Sequence, residues 1–332
     1  MEREWWRFFL LPLSWLYGLV VGLVNKAYDY NILKSQKSTV YSICVGNLTV
    51  GGTGKTPMIE RLIEDNVVVG GKKWALLSRG YNRKTKGLIV VDDNSTVEEI
   101  GDEPMQMHRK YPFLPIIIDG DRNRAFRYIS DNMPDIECVL MDDGMQHRTT
   151  RADKYILMCD YSRPIYNNFL LPAGNLRESW SGRKRASVIV INKCPKDISE
   201  SERSTIASKM KLNEHQKLYF SAIEYGDVVG AMSGQVLAIA GVGRPQPFFD
   251  EVRRRYGINI ECIQYPDHHN FTESDLSDLK ARLDKLGNDS TVLCTEKDFQ
   301  RLGSIEGHVI AYMPIRLRFL EESDKNINIA IS

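Results

Sequence analysis

The stretch Gly46-Asn47-Leu48-Thr49-Val50-Gly51-Gly52-Thr53-Gly54-Lys55-Thr56-Pro57 constrains this chain more than any other. The apolar run before it, Val40 to Val45, predicts a buried strand, and Met58 to Glu64 after it predicts the first turns of a helix. Strand, glycine-rich loop, Lys-Thr and helix, in that order, is the layout of a phosphate-binding P-loop. Glycines let the backbone wrap close to phosphate oxygens, with successive N–H groups pointing inward. The helix N-terminus adds its partial positive charge. Lys55 is expected to reach the β- and γ-phosphates and Thr56 to hold Mg²⁺, so residues 49–56 (Thr49, Val50, Gly51, Gly52, Thr53, Gly54, Lys55, Thr56) predict a nucleoside triphosphate site.

The loop departs from the strict G-x-x-x-x-G-K-[ST] spacing, with Thr49 where the first glycine belongs and extra glycines at 51 and 52. The G-G-x-G-K-T variant resembles the loop of dimeric, membrane-associated partitioning ATPases. Those carry a second lysine where this chain has Val50. A chance glycine-rich turn is the plainer alternative, and the flanking strand and helix signals weigh against it.

With 332 residues, 42% of them hydrophobic, the chain is long enough for two domains with cores of their own. A net charge of +1 gives no bulk affinity for nucleic acid. The six cysteines are scattered, without a C-x-x-C pair, and read as reduced, mostly buried thiols of a cytoplasmic protein. The segment Phe8 to Val24 is apolar apart from Ser14, Tyr17 and its glycines. As a helix it would span about 25 Å, short of a ~30 Å hydrocarbon core. A buried core helix and a signal peptide are the alternatives, and no cleavage-site pattern supports the second. A membrane-associated helix fits best. Trp5, Trp6, Trp15 and Tyr17 suit the headgroup region, and Arg3, Arg7 and Lys26 suit anionic lipid. Spanning and interfacial placements are both open.

Beyond that segment, short apolar runs alternate with helical patterns. This predicts an α/β fold with a P-loop NTPase-like, mostly parallel sheet. A second strand–helix series starts at Val236, predicting a smaller second α/β domain, with the boundary near Tyr225–Gly234. The expected division is a lead-in with the apolar helix over 1–36, the P-loop domain over 37–228 and the second domain over 229–332. A ligand cleft is expected between the two α/β domains.

Cys138-Val139-Leu140-Met141-Asp142-Asp143 is an apolar strand ending in two carboxylates, the Walker-B pattern that brings an acid beside the P-loop to hold Mg²⁺. Gln146 and His147 follow at the same end. Asp102, in Gly101-Asp102-Glu103-Pro104, opens a predicted helix, where plain capping is the simpler reading. Adjacent His268 and His269 make a poor metal pair and no third ligand is suitably spaced, which excludes zinc. Asn192-Lys193-Cys194-Pro195 lacks the Asp of a guanine-reading N-K-x-D motif and reads as a strand end. Thr295-Glu296-Lys297-Asp298 reads as a helix start or a nucleotide contact. The basic runs Arg79–Lys86 and Arg177–Arg185 suit an anionic partner, although such runs are more often solvated faces.

In chain order, the apolar helix, GNLTVGGTGKTP (46–57), SRGYNRK (78–84), GDEPMQM (101–107), DGDRNRAF (119–126), MDDGMQHR (141–148), LLPAGNLRES (170–179), AGVGRPQPFF (240–249), PDHHNFT (266–272) and TEKDFQRL (295–302) resemble the tetraacyldisaccharide 4'-kinase family of Gram-negative bacteria over nearly the whole chain. The resemblance implies a kinase at the cytoplasmic face of the inner membrane, transferring the γ-phosphate of ATP to the 4'-hydroxyl of a lipid A precursor, the tetraacyldisaccharide 1-phosphate, to give lipid IVA. It implies Asp102 as general base with His268 as its partner across the domain cleft, so that catalysis requires domain closure. Lys55 and Mg²⁺ would neutralise charge, with Thr56, Asp142 and Asp143 at the metal. Gln146, His147, Arg177 and Glu178 would shape the site. The protein is expected to be a monomer that binds the membrane surface through its N-terminal helix and binds no nucleic acid. Ser179 and Met145 depart from the usual family residues. A kinase of another membrane lipid or sugar is the nearest alternative, and a membrane-bound nucleotide switch is one from a different class.

Overall fold

The computed structural model describes residues 5–267, 269–287 and 289–320. The chain forms two compact units. One runs to Ile223 and resumes at Leu317, and the other is Glu224–Arg316.

In the larger unit a 3₁₀ turn over Trp5–Leu10 leads into helix α1 (Leu11–Asp29), with Pro12 in its first turn, where a missing N–H costs nothing. The helix therefore runs beyond the predicted Val24. There follow β1 (Gln36–Lys37), β2 (Ser42–Gly46), α2 (Lys55–Ile63), β3 (Trp74–Ser78), β4 (Ile89–Val90), α3 (Val97–Ile100), α4 (Asp102–Lys110), β5 (Ile116–Ile118) and α5 (Arg122–Asn132). Then come β6 (Cys138–Asp142), β7 (Thr150–Arg151), β8 (Lys154–Asp160), β9 (Val188–Asn192), α6 (Glu200–Met210) and β10 (Lys217–Tyr225). In the smaller unit are β11 (Val236–Ala240), α7 (Gln246–Tyr256), β12 (Cys262–Gln264), α8 (Glu273–Leu286), β13 (Thr291–Thr295), α9 (Glu296–Phe299) and β14 (Val309–Met313), and β15 (Ile315–Phe319) returns to the first.

The nine-stranded sheet of the larger unit has the order β15-β10-β9-β8-β2-β6-β3-β5-β4, with β2 central and parallel to both β6 and β8. Its central strands are apolar on both faces, as a sheet covered by helices on each side requires: β2, β3 and β9 are buried throughout. Ile43, Met58, Ile63, Trp74 and Leu140 pack one core, and Cys44, Leu77, Phe126 and Val139 another. The smaller unit has a four-stranded sheet, β12-β11-β13-β14, parallel throughout. Its α8 begins at a capping box in which Thr272 N donates to Asp275 (2.7 Å) and Asp275 N to the Thr272 hydroxyl (3.2 Å). In a parallel sheet all carboxyl ends point one way, so the loops after β2, β6, β8 and β9 gather at one edge.

Candidate active site

The P-loop leaves β2 and turns into α2 through Gly54, whose φ of +94° is left-handed. A Cβ there would lie 2.0 Å from the Asn192 amide nitrogen, so the position needs glycine for both conformation and space. The start of the loop is braced by the segment before Ser179. Thr49 bridges Leu176 in antiparallel fashion, Val50 N donates to the Asn175 carbonyl (2.8 Å) and Arg177 N to the Leu48 carbonyl (2.7 Å). Thr49 thus stands at a bridge position in place of the missing glycine. Inside the loop, the buried Asn47 amide donates to the Thr53 hydroxyl (3.1 Å).

Arg177 ties the loop to the Walker-B end. Its guanidinium donates to Asn47 Oδ1 (2.6 Å), the Thr49 carbonyl (3.1 Å), Asp143 Oδ2 (3.0 Å) and Gln146 Oε1 (3.2 Å). Gln146 in turn donates to the Asn47 carbonyl (2.8 Å) and to Glu178 (3.0 Å), which is buried and also accepts from Arg185 (2.6 Å). Lys55 Nζ stands 3.6 Å from Asp143 Oδ2, so the P-loop lysine and the strand-end acid share one site. His147 bonds the Thr149 hydroxyl (2.8 Å), and burial lowers its pKa, which keeps its ring neutral near pH 7.

Asp142 is half-buried beside Glu103. Burial first, then the Glu103 charge, pushes its pKa up to about 7 against the opposing pull of Lys55. Asp143 Oδ1 is buried and finds no donor. A cation would satisfy both groups. Thr56, Ser78, Glu103, Met107 and Asp142 line one small cleft, so the hydroxyl that follows Lys55 faces the same space. Among the described residues, no group of three or more His, Cys, Asp or Glu side chains could hold a metal alone. Such a cluster is not required for Mg²⁺, which keeps several waters and takes one or two carboxylates together with phosphate oxygens.

The sequence places Asp102 as a possible N-cap, but the cap is Gly101, at φ +94°, and Asp102 is the first helical residue of α4. Its neighbour Glu103 reaches the Asp142 cleft, a placement for which GDEP alone carried no signal. His268 lies outside the described residues. His269 is already engaged, bonding Asp275 (3.0 Å) and stacking on Tyr265 with ring centroids 4.8 Å apart. Asp298 folds back on the Thr295 hydroxyl (2.6 Å), so TEKD is a capped helix start. The basic run at 177–185 is not a solvated face. Arg183 is buried, donates to the Met210 and Lys211 carbonyls (2.7 and 2.8 Å) and lies 3.8 Å over the Trp180 ring.

The helix α1 reaches the same network. Ser14, its one buried residue, donates to the Leu170 carbonyl (3.0 Å) and accepts from Ala173 N (2.9 Å). Tyr17 donates to the Arg177 carbonyl (2.6 Å) and Asn25 to Glu178 (3.3 Å). Phe9, Leu13, Trp15, Leu16, Leu19, Val20 and Leu23 stay exposed. Arg7–Asp29 is long and apolar enough to cross a membrane.

The profile of the family described as Tetraacyldisaccharide-1-P 4'-kinase matches residues 6–331. The chain belongs to that family. Among tetraacyldisaccharide 4'-kinases, that of Flavobacterium johnsoniae is 37% identical over 333 residues, covering 97% of this chain and 95% of its own. That of Porphyromonas gingivalis is 39% identical over 337 residues, covering 95% and 94%. The crystal structure of the "apo" form of LpxK from Aquifex aeolicus in complex with ATP superposes with a TM-score of 0.72 at 28% identity, over 96% of each chain. A tetraacyldisaccharide-1-P 4'-kinase thus carries its P-loop, Walker-B acids and Arg177 network in the larger of two α/β units.

Proposed function

We propose that this chain is an ATP-dependent kinase that transfers the γ-phosphate to the 4'-hydroxyl of the tetraacyldisaccharide 1-phosphate lipid A precursor, giving lipid IVA. The observation that carries the reading is the meeting of Lys55 with Asp143 at the mouth of the P-loop, in a chain of this family. ATP would seat its phosphates on the N–H groups of residues 51–56. Thr56, Asp142 and Asp143 are the residues to hold Mg²⁺, which when bound supplies positive charge to the β- and γ-phosphates. Lys55 adds a cation where charge develops during transfer. The Asp102 carboxylate takes the proton of the 4'-hydroxyl as that oxygen bonds to γ-phosphorus and the bond to ADP breaks, with His268 assigned as its partner. General-base help of this kind is typically worth ~10²–10⁴ in rate.

The acceptor carries acyl chains, so the enzyme has to work at a lipid surface. The helix α1 spends its polar side chains on the protein and turns its apolar ones outward, which favours a helix lying along the membrane surface, buried a few ångströms deep. ATP places that surface on the cytoplasmic side.

The test is phosphotransfer from γ-labelled ATP to the tetraacyldisaccharide 1-phosphate in detergent with Mg²⁺. Label is expected on the lipid with wild-type protein, and at least a hundredfold less with Asp102→Ala or Lys55→Ala, as ~10²–10⁴ for general-base catalysis predicts for the first. Folded, ATP-binding wild-type protein that leaves the lipid unlabelled would overturn the assignment.

A further inference from the structure

A loop that aims its N–H groups at phosphate turns carbonyl oxygens the other way, where donors from behind can hold them. Here the donors come from Asn192-Lys193, at the carboxyl end of β9, a segment with no part in the kinase assignment above. The Asn192 side chain is fully buried. Its amide nitrogen donates to the Thr53 carbonyl (3.0 Å), while its amide oxygen accepts from the Ser221 hydroxyl on β10 (3.0 Å). Lys193 holds a left-handed backbone, φ +62°, unusual for a residue with a Cβ. Its ammonium donates to the Gly52 carbonyl and stands 3.1 Å from Asp160 Oδ2. Asp160, at the end of β8, is buried and its other oxygen accepts from Ser162 N (2.9 Å) and the Ser162 hydroxyl (2.6 Å).

Two consecutive carbonyls of the P-loop, at Gly52 and Thr53, are therefore held from behind by two consecutive residues of one strand end. We propose that Asn192 and Lys193, with Asp160 fixing Lys193, are positioning residues for ATP: they lock residues 51–54 in the shape that receives phosphate before the nucleotide arrives. A preformed loop loses less entropy on binding, so the latch acts on ATP affinity and on alignment of the γ-phosphate.

The proposal rests on the ATP-binding part of the reading above and not on the acceptor. The Lys193 side chain is about a third exposed (32%), so replacing it costs little packing, whereas truncating the buried Asn192 endangers the fold. Full-length Lys193→Met, Lys193→Arg, Asp160→Asn and the Lys193→Met/Asp160→Asn double variant are compared by calorimetric titration with Mg-ATP, by steady-state kinetics and by thermal unfolding. Lys193→Met is expected to weaken ATP binding by roughly ten- to a hundredfold, the worth of one charge-assisted hydrogen bond. The acceptor KM should stay within about twofold and arginine should recover most of the loss; whatever the unpaired, buried Asp160 takes from the unfolding midpoint should return in the double variant, which removes that charge. The double variant should be no worse than Lys193→Met. ATP affinity within twofold of wild type in Lys193→Met overturns the latch. So does an equal loss for ATP and acceptor that follows a lowered unfolding midpoint. Wild-type protein that binds ATP yet phosphorylates no lipid removes the acceptor assignment, and the calorimetric comparison still decides the latch.

Discussion

Helix α1 is joined to the rest of the larger unit by polar contacts at Ser14, Tyr17, Asn25 and Asp29, and those of Ser14 and Tyr17 can be removed singly. Ser14→Ala removes two hydrogen bonds, to the Leu170 carbonyl and from Ala173 N, each worth ~1 kcal/mol net. Tyr17→Phe removes the bond to the Arg177 carbonyl, about 1 kcal/mol more. The double variant should weaken docking by about 3 kcal/mol, or roughly a hundredfold in the docked-to-undocked ratio. Amide hydrogen exchange reads this directly, because local opening is reported segment by segment. Protection is expected to fall by about that factor both in residues 11–29 and in residues 168–178, the stretch that braces the P-loop, while β6 in the core stays as protected as in wild type. Activity should fall with it, since Arg177 would lose its support on one side. Unchanged exchange in 168–178 despite a loosened helix would refute the idea that α1 and the phosphate site are mechanically joined.

Gly54→Ala should abolish detectable ATP binding and cost about 1–3 kcal/mol in backbone strain, with the Asn192 clash in addition; Gly51→Ala, at φ +96° with only Arg163 at 3.7 Å from the new Cβ, should bind ATP better than Gly54→Ala in the same titration. Glu251 is held down to about 2, from an ordinary 4.5, first by the Arg254 pairing and then by Arg255. Because its folded pKa is depressed, its stabilisation is complete above about pH 4.5 and is lost as pH falls toward 2, so the unfolding midpoints of wild type and Glu251→Gln should differ at pH 7 and converge in that window. Burial pushes the thiols of Cys44, Cys138, Cys159 and Cys194 up to about 12, so a thiol reagent at pH 8 should leave the native protein nearly untouched, with the half-buried Cys262 reacting first and all six reacting after denaturation.

Much of this architecture is legible in the residues because buried parallel strands must be apolar runs. The strand read before the P-loop forms as Ser42–Gly46, the helix read after it as Lys55–Ile63, and the second strand–helix series begins at Val236 as read. Helix α6 leaves no such trace: ESERSTIASKM buries only Ile206 and Met210, so its amphipathic stripe is too thin to see. Strand β10 is obscured by the turn-forming residues just after it, and β15 is pulled into the sheet by partners distant in sequence. At the site, Lys55, Thr56 and the Asp142–Asp143 pair are readable because phosphate binding imposes a local spacing. Arg177, Glu178 and Lys193 are brought in by long-range hydrogen bonds, which spacing alone does not encode.

The return of β15 to the edge beside β10 makes the smaller unit an insertion in the larger one. During synthesis, everything from Glu224 to Arg316 emerges before the last strand of the phosphate-binding sheet exists. The smaller unit, with its own hydrophobic core around Leu237, Leu279 and Val292, can fold while the outer edge of β10 is still bare. Ribosome stalling or premature termination anywhere in that interval would release a chain with an unpaired strand edge, a template for aggregation, so the cell's exposure to misfolding grows with the time spent translating a region that contributes no residue to the P-loop.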